Sequence, residues 1–240
     1  MRRRPHRLAL AAAAIALLTT GCAAQAQAPS PSDEAGASAS TPTVVAPAGA
    51  DGYGLPAGTG AVEIQLFTDL SCPYCRMLEE ATGDVLSEAV AAGTATLTIH
   101  PLNFVSAKHG DDTDWSTRAA NALAAALDAG QGDRIPAFYA LLQENQTTAD
   151  GTTHPSDADI VALARQAGIT ADLSDAVASQ RFGAWVQASN DHWLGSTIAG
   201  TGKVVSGVPV LVIGGKVIAL DGEATDVAQR VQAAIADAQG

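Results

Sequence analysis

The sequence predicts an α/β domain whose two halves are separated by an all-helical insertion. Strand patterns occur near residue 61 and again after residue 207, whereas none interrupts residues 111–200. A C-x-x-C pair also stands where the first strand pattern changes to a helical one. We therefore assign residues 58–110 and 201–240 to the α/β domain and residues 111–200 to the insertion.

The first 21 residues have the composition of a cleaved signal peptide. Four arginines precede the apolar run Leu8–Leu18, which is too short to span a bilayer as a mature helix. The small residues before Cys22 resemble a bacterial lipobox, so we expect Cys22 to carry a lipid anchor such as palmitate. Thr19 departs from that pattern, and an ordinary signal peptide with a chance cysteine is the alternative.

Residues 22–57 are mostly small or polar, and such a segment buries too little apolar surface to offset its ordering entropy. We predict a disordered tether there.

The chain after the leader is strongly acidic. Four of the 13 basic residues lie in the leader, so the remaining 9 stand against 25 acidic residues, which gives a formal charge of −16. That charge argues against nucleic acid as a partner and against electrostatic binding to anionic lipid. Membrane attachment would then depend on the lipid at Cys22.

The first half of the domain is predicted as strand, helix, strand. Apolar and polar residues alternate over 61–67, which indicates a strand. A helix follows from Pro73, because proline fits the first helical turn, and Gly93 is a suitable stop. Residues 94–99 have the composition of a second strand.

The second half is predicted as a hairpin and a helix. Residues 208–213 and 216–220 flank Gly214-Gly215, a strong hairpin signal, and an amphipathic helix closes the chain. With the helical block in between, this order is that of a thioredoxin fold with an inserted all-helical domain.

The chain has three cysteines, and Cys72 and Cys75 have no further cysteine to pair with apart from Cys22. A zinc site would need four ligands, but there is no second cysteine pair and the histidines are scattered singly, so we predict no metal. A purely structural disulfide is possible, although so short a loop stabilises little. An exported protein meets an oxidising compartment, and a chain with only this pair indicates a redox centre.

Two motifs resemble the DsbA-like disulfide oxidoreductases. One is Phe67-Thr-Asp-Leu-Ser-Cys-Pro-Tyr-Cys75, where an aromatic strand end and an aspartate precede C-P-x-C. The other is Gly207-Val-Pro-Val210, directly before the hairpin, where that family has a cis-proline. The helical insertion between them is a third likeness. C-P-Y-C also occurs in glutaredoxins, which are small cytosolic proteins without such an insertion.

The resemblance implies catalytic roles for Cys72 and Cys75. The thiolate is the reactive species, and a helix N-terminus should lower the pKa of Cys72 below its free value. Pro73 and Tyr74 would tune the redox potential, which we expect to be less oxidising than that of relatives with histidine in the second slot.

Val208 and Pro209 are the expected substrate-binding residues. The resemblance implies that Val208 presents its backbone to an extended substrate segment beside a cis bond to Pro209. A trans bond at an edge-strand start is the alternative.

The implied substrates are exported proteins with thiols, and the implied partner is a quinone-linked membrane protein that reoxidises the chain on the extracytoplasmic face. No cofactor is implied. A reductase or isomerase, and a non-catalytic tethered binding or chaperone module, are the alternatives.

The family also often has a buried acid six residues before the first cysteine, where this chain has Leu66. Glu63 lies on the opposite strand face, so the group that would replace the acid is open.

Overall fold

The computed structural model describes residues 44–146 and 154–240. Within these ranges the strands are β1 (Leu55–Ala57), β2 (Val62–Asp69), β3 (Ala95–Leu102), β4 (Val210–Ile213) and β5 (Lys216–Val217). The helices there are α1 (Pro73–Ala91), α2 (Phe104–His109), α3 (Trp115–Asp128), α4 (Ile135–Glu144), α5 (Asp157–Gln166), α6 (Ser174–Ala178), α7 (Gly183–Trp193) and α8 (Ala224–Ala238). The expected signal peptide, Cys22 and the tether up to residue 43 lie outside the described residues.

The five strands form one sheet in the order β1-β3-β2-β4-β5. β2 and β3 are parallel, as the crossover through α1 requires, and the other neighbouring pairs are antiparallel. β2 is the central strand, with the parallel β3 on one side and the antiparallel β4 on the other. The loop after Asp69 therefore emerges at the carboxyl end of the middle strand, and this loop carries Cys72.

The described residues between β3 and β4 contain helices α2–α7 and no strand of the sheet. The helices begin at Phe104, before the predicted start at residue 111. Trp115, Phe138 and Trp185 of this stretch are buried in the same hydrophobic core as Ile64 and Ile99 of the sheet. The inserted helices thus share one core with the α/β domain, and the described residues 44–146 and 154–240 pack as a single unit in which the sheet and the inserted helices are not separate bodies.

The predicted tether extends too far into the fold. Residues 55–57 form β1, which pairs antiparallel with β3 at the edge of the sheet, with Leu55 opposite Ile99. Leu55 and Ala57 are buried in the main core. Pro56 is compatible with an edge strand because it need not donate to a second neighbour. The strand was not predicted because it has only three residues and lies in a segment rich in glycine and proline, where no alternation of apolar and polar residues is visible.

The hairpin is confirmed, although its strands are shorter than predicted. β4 and β5 pair antiparallel across Gly214-Gly215. Both glycines have positive φ values, 54° and 75°. That backbone matches the twist of a two-residue hairpin, and it explains why two glycines stand there.

Candidate functional site

Cys72 lies at the start of α1. It occupies the N-cap position, Pro73 is the first helical residue, and the backbone carbonyl of Cys72 accepts from the N–H groups of Cys75 and Arg76 at 3.0 and 3.2 Å. The side chain at an N-cap usually accepts a hydrogen bond from the first turn. Here that position is occupied by a sulfur, which faces the positive end of the helix dipole.

The thiol of Cys72 is acidified by its surroundings. A hydrogen bond with the side chain of Cys75 lowers the pKa of Cys72, and the backbone N–H groups of Cys75 and Tyr74 add to the effect. Burial of the sulfur and the charge of Asp69 oppose it. The net shift is downward, which favours the thiolate that attacks and leaves in disulfide exchange.

Cys75 has the opposite character. It lies one helical turn further on and is buried, and this burial raises its pKa well above the ordinary value of a cysteine. A hydrogen bond from the Thr68 hydroxyl and one from the backbone N–H of Asp69 lower it in part. Both cysteines are free thiols. The pair therefore combines one sulfur that ionises readily with one that is held protonated.

The Val208-Pro209 peptide bond is cis and lies against the cysteines. The Cys72 thiol is 3.6 Å from the Val208 carbonyl oxygen, to which it donates. The two cysteines form a small apolar cluster with Val105, and Val208 packs on this cluster. The structure thus brings together the residues that the sequence predicted for the site: Cys72, Pro73, Tyr74, Cys75, Val208 and Pro209.

An apolar groove of about 280 Å³ runs beside the cysteines. Tyr74 and Met77 are 68% and 60% exposed at its rim, although most large apolar side chains of the described residues are buried. Val208 and Pro209 form part of its lining. The remaining lining residues are Leu78, Ala81, Leu220, Gly222, Ala224 and Val227. Cys72 itself is only 4% exposed, so access to its sulfur is narrow.

Asp69 is fully buried three residues before Cys72. Its carboxylate accepts from the Ser71 N–H at 2.9 Å, the Val105 N–H at 2.8 Å and the Ser116 hydroxyl at 2.5 Å. Burial raises the pKa of Asp69 to about 6 in spite of these donors. The sequence singled out this aspartate by its place before the cysteines, and the structure shows that it ties their loop to α2 and α3.

Sequence reasoning missed a chain of buried polar side chains beneath Cys75. The Thr68 hydroxyl is 2.7 Å from the Tyr139 hydroxyl, and the Gln143 amide nitrogen donates to Tyr139 at 2.8 Å. The Gln146 amide donates in turn to the Gln143 oxygen at 2.5 Å and to the Cys72 carbonyl at 3.3 Å. No sequence signal could have found them, because Tyr139 lies 71 residues from Thr68 and fits the apolar pattern of α4.

The position of the family's buried acid is apolar in this chain. Leu66 is packed in the main core, and Glu63 is exposed near the start of β2. Neither residue places a carboxylate at the cysteines. The group that replaces the family's acid must therefore be one of those that surround Cys75.

Membrane-spanning helices and clusters of metal ligands were sought in residues 44–146 and 154–240. No helix in these ranges is both long and apolar enough to cross a bilayer. No group of three or more potential metal ligands occurs within them.

A protein-family model described as thioredoxin matches residues 58–236. A comparison with curated proteins gives no significant match. Among solved structures, the chain is similar to the reduced disulfide bond oxidoreductase DsbG of Mycobacterium tuberculosis, with 18% identity and a TM-score of 0.59 over 80% of this chain and 96% of that one.

Two further structures have the same fold. MdbA of Actinomyces oris, a thiol-disulfide oxidoreductase, is 18% identical with a TM-score of 0.59, over 75% of this chain and 87% of that one. Oxidised BdbD of Bacillus subtilis is 16% identical with a TM-score of 0.56, over 82% and 98%. At these identities the likeness shows the fold, which is the one expected from the sequence.

Proposed function

The chain belongs to the thioredoxin family, and on that premise we propose that it is an exported thiol–disulfide oxidoreductase. It would form or exchange disulfides in extracytoplasmic proteins through Cys72 and Cys75. The observation that carries this proposal is the asymmetry of the pair. One sulfur at a helix start has a lowered pKa, and its buried partner has a raised one.

In the proposed cycle a substrate thiolate attacks the sulfur of Cys72 in the Cys72–Cys75 disulfide. The new substrate–Cys72 bond forms as the bond to Cys75 breaks, and Cys75 leaves with the electron pair and is then protonated. A second substrate thiolate attacks its neighbour's sulfur and expels Cys72 as a thiolate. The substrate is oxidised by two electrons and the pair is reduced. A low pKa makes Cys72 a good leaving group in this second step.

The apolar groove, defined by the lining residues above, is the proposed seat of the substrate chain. An extended segment could add to the backbone of Val208, whose carbonyl already lies 3.6 Å from the Cys72 sulfur. Its side chains would rest on Tyr74 and Met77, which are otherwise exposed. This mode is sequence-tolerant, as a catalyst with many clients requires.

We further propose that the protein works on the extracytoplasmic face of the membrane, held by a lipid on Cys22 and reoxidised by a quinone-linked membrane protein. The basic, apolar leader and the small residues before Cys22 support this. Growth with labelled palmitate should label the wild-type chain in the membrane fraction. Cys22→Ser should lose the label and appear in the soluble extracytoplasmic fraction, whereas equal labelling of both would refute the anchor.

Trapping in the native host tests the activity. Cys75→Ala should accumulate mixed disulfides between Cys72 and exported thiol proteins, because the resolving thiol is gone. Cys72→Ser should form none and should lose thiol-oxidising activity. The redox state of the captured proteins is then examined in cells that lack the chain. If these proteins accumulate there as free thiols, the chain is an oxidase. If they carry wrongly paired disulfides instead, it is an isomerase or reductase. A chain whose biological effect survives Cys72→Ser would instead be a tethered binding or chaperone module.

A further inference from the structure

The side chains of Thr68, Tyr139, Gln143 and Gln146 form a buried chain of hydrogen bonds, and its last member, Thr68, acts on the thiol of Cys75. Thr68, Tyr139 and Gln143 are at most 2% exposed. Thr68 is the last hydrogen-bonding side chain of the series, and hydrogen bonding by its hydroxyl lowers the pKa of the Cys75 thiol. A polar cluster is costly inside a core, and here the side-chain oxygen of Gln146 has no hydrogen-bond partner among the described residues. The position of this cluster beside the redox centre therefore calls for a chemical role.

The donors of this chain all point the same way. The Gln146 nitrogen donates to the Gln143 oxygen, which fixes the Gln143 nitrogen towards Tyr139. An amide nitrogen can only donate, so the Tyr139 oxygen accepts, and its own proton is free for Thr68 at 2.7 Å. Thr68 accepts from Tyr139 and, at 3.4 Å, from Gln143. The single proton of the Thr68 hydroxyl is then left for Cys75.

We propose that Thr68 is a further catalytic residue, whose hydroxyl donates a hydrogen bond to Cys75 while that sulfur is the leaving thiolate. Tyr139 and Gln143 are positioning residues that aim the hydroxyl. The proposal deepens the proposed function and rests on it. When a substrate thiolate attacks Cys72, the electron pair of the broken bond moves onto Cys75, and the Thr68 hydroxyl stabilises that charge until a proton from solvent neutralises it.

The surroundings of Cys75 leave few other groups for this role. Burial disfavours the thiolate there, and the Thr68 hydroxyl opposes that effect together with the Asp69 backbone N–H. The carboxylate of Asp69 already accepts from three donors. Leu66 fills the place of the family's buried acid with an apolar side chain. A donor hydroxyl therefore takes over from an acid: it stabilises the thiolate without exchanging a proton with it.

The same geometry predicts a split between rate and equilibrium. The disulfide and the neutral thiol of Cys75 carry no charge for Thr68 to stabilise, whereas the transition state between them does. Loss of the hydroxyl should therefore slow reduction and reoxidation by the same factor. A hydrogen bond to a charged sulfur and the sensitivity of thiol exchange to pKa together give about three- to tenfold.

The experiment uses the purified chain and small-molecule thiols. Oxidised protein is reduced by dithiothreitol, and reduced protein is reoxidised by oxidised glutathione, for Thr68→Val, Tyr139→Phe and a matched control, Thr82→Val. Thr82 is an equally buried threonine whose hydroxyl donates to the Leu78 carbonyl at 2.8 Å, away from the sulfurs. Thr68→Val should slow both reactions about three- to tenfold, Tyr139→Phe by less, and Thr82→Val not at all.

The equilibrium constant with glutathione should stay within about twofold of the wild-type value in all three variants. Wild-type rates in Thr68→Val, equal slowing in Thr82→Val, or an equilibrium constant that shifts as much as the rates would each overturn the proposal. Because dithiothreitol replaces the client, the outcome is separate from client trapping. A chain that captures no exported protein would refute the proposed function and leave the role of Thr68 to be decided by these rates.

Discussion

The carboxylate of Asp69 joins three segments that are far apart in the sequence. It accepts from Ser71 in the cysteine loop, from Val105 in α2 and from Ser116 in α3. Each donor is a buried group that would otherwise be unpaired, and an unpaired buried donor costs about 1–3 kcal/mol. The position of Cys72 relative to the helices thus depends on one buried carboxylate.

Asp69→Asn should lower the free energy of unfolding at pH 7 by about 1–3 kcal/mol, because the amide nitrogen must face a donor. Burial raises the pKa of Asp69 from 3.8 to about 6, so the folded state binds this proton more tightly than the unfolded chain. The stabilisation from this group is complete below pH 4 and is lost as the pH rises towards 6. Urea unfolding from pH 4 to 7 should therefore show the two proteins diverging as the pH falls.

The exposed Asp112 provides the control for that measurement. Asp112→Asn should leave the unfolding curve close to that of the wild type at each pH. A constant gap between wild type and Asp69→Asn over the whole range would contradict the raised pKa.

Tyr74→His should make the protein a stronger oxidant. Tyr74 is 68% exposed, so the exchange disturbs little packing, and a histidinium in that slot would stabilise the thiolate of Cys72. A fall of one unit in the pKa of Cys72 corresponds to a rise of about 30 mV in the reduction potential. Equilibration with glutathione measures the shift. A wild-type potential already equal to that of Cys-Pro-His-Cys relatives would disprove the tuning role given to Tyr74.

β1 contributes more to the stability of the fold than its length of three residues suggests. Its three residues close one edge of the sheet, and Leu55 is fully buried against β3 and the main core. A strand this short contributes through the side chains that it buries more than through its own propensity.

Leu55→Ala should cost about 2–5 kcal/mol of stability, because it removes a buried side chain and leaves a cavity. Urea denaturation measures this loss. Val44→Ala, at a position that is 50% exposed, is the matched control and should change the stability little. If Leu55→Ala changed the stability as little as Val44→Ala does, residues 44–57 would not belong to the folded unit.

Elements with local signals could be predicted from the sequence. Gly214-Gly215 marked the hairpin because the turn itself needs positive φ, and Pro73 marked the start of α1 because its ring fits the first turn. β1 was missed because its partner, β3, lies some 40 residues away and its own residues give no period. Tyr139 was missed for a similar reason, since only the tertiary fold brings it to Thr68.

At the scale of the whole molecule, the helical insertion and the sheet share one core. Trp115 and Trp185 from the inserted helices pack in the same cluster as Ile64 and Ile99. Two halves that bury their apolar surface against each other lose most of that stabilisation when either one unfolds.

Unfolding should therefore be a single cooperative transition. The tryptophans report on the inserted helices, and alkylation of Cys75, buried in the α/β domain, reports on the cysteine site. Both signals should change at the same urea concentration. Loss of tryptophan signal at a lower urea concentration than exposure of Cys75 would show that the inserted helices unfold on their own.

The narrow access to Cys72 has a consequence for when such a catalyst could act on its clients. A sulfur that is 4% exposed, beside a backbone carbonyl at 3.6 Å, can be reached by a thin, unfolded thread of polypeptide but not by a cysteine already enclosed in a folded globule. Under the proposed function, crosslinks would be introduced while a newly secreted chain is still loose. The enzyme would then help to decide which native structure that chain reaches, instead of reinforcing one already formed.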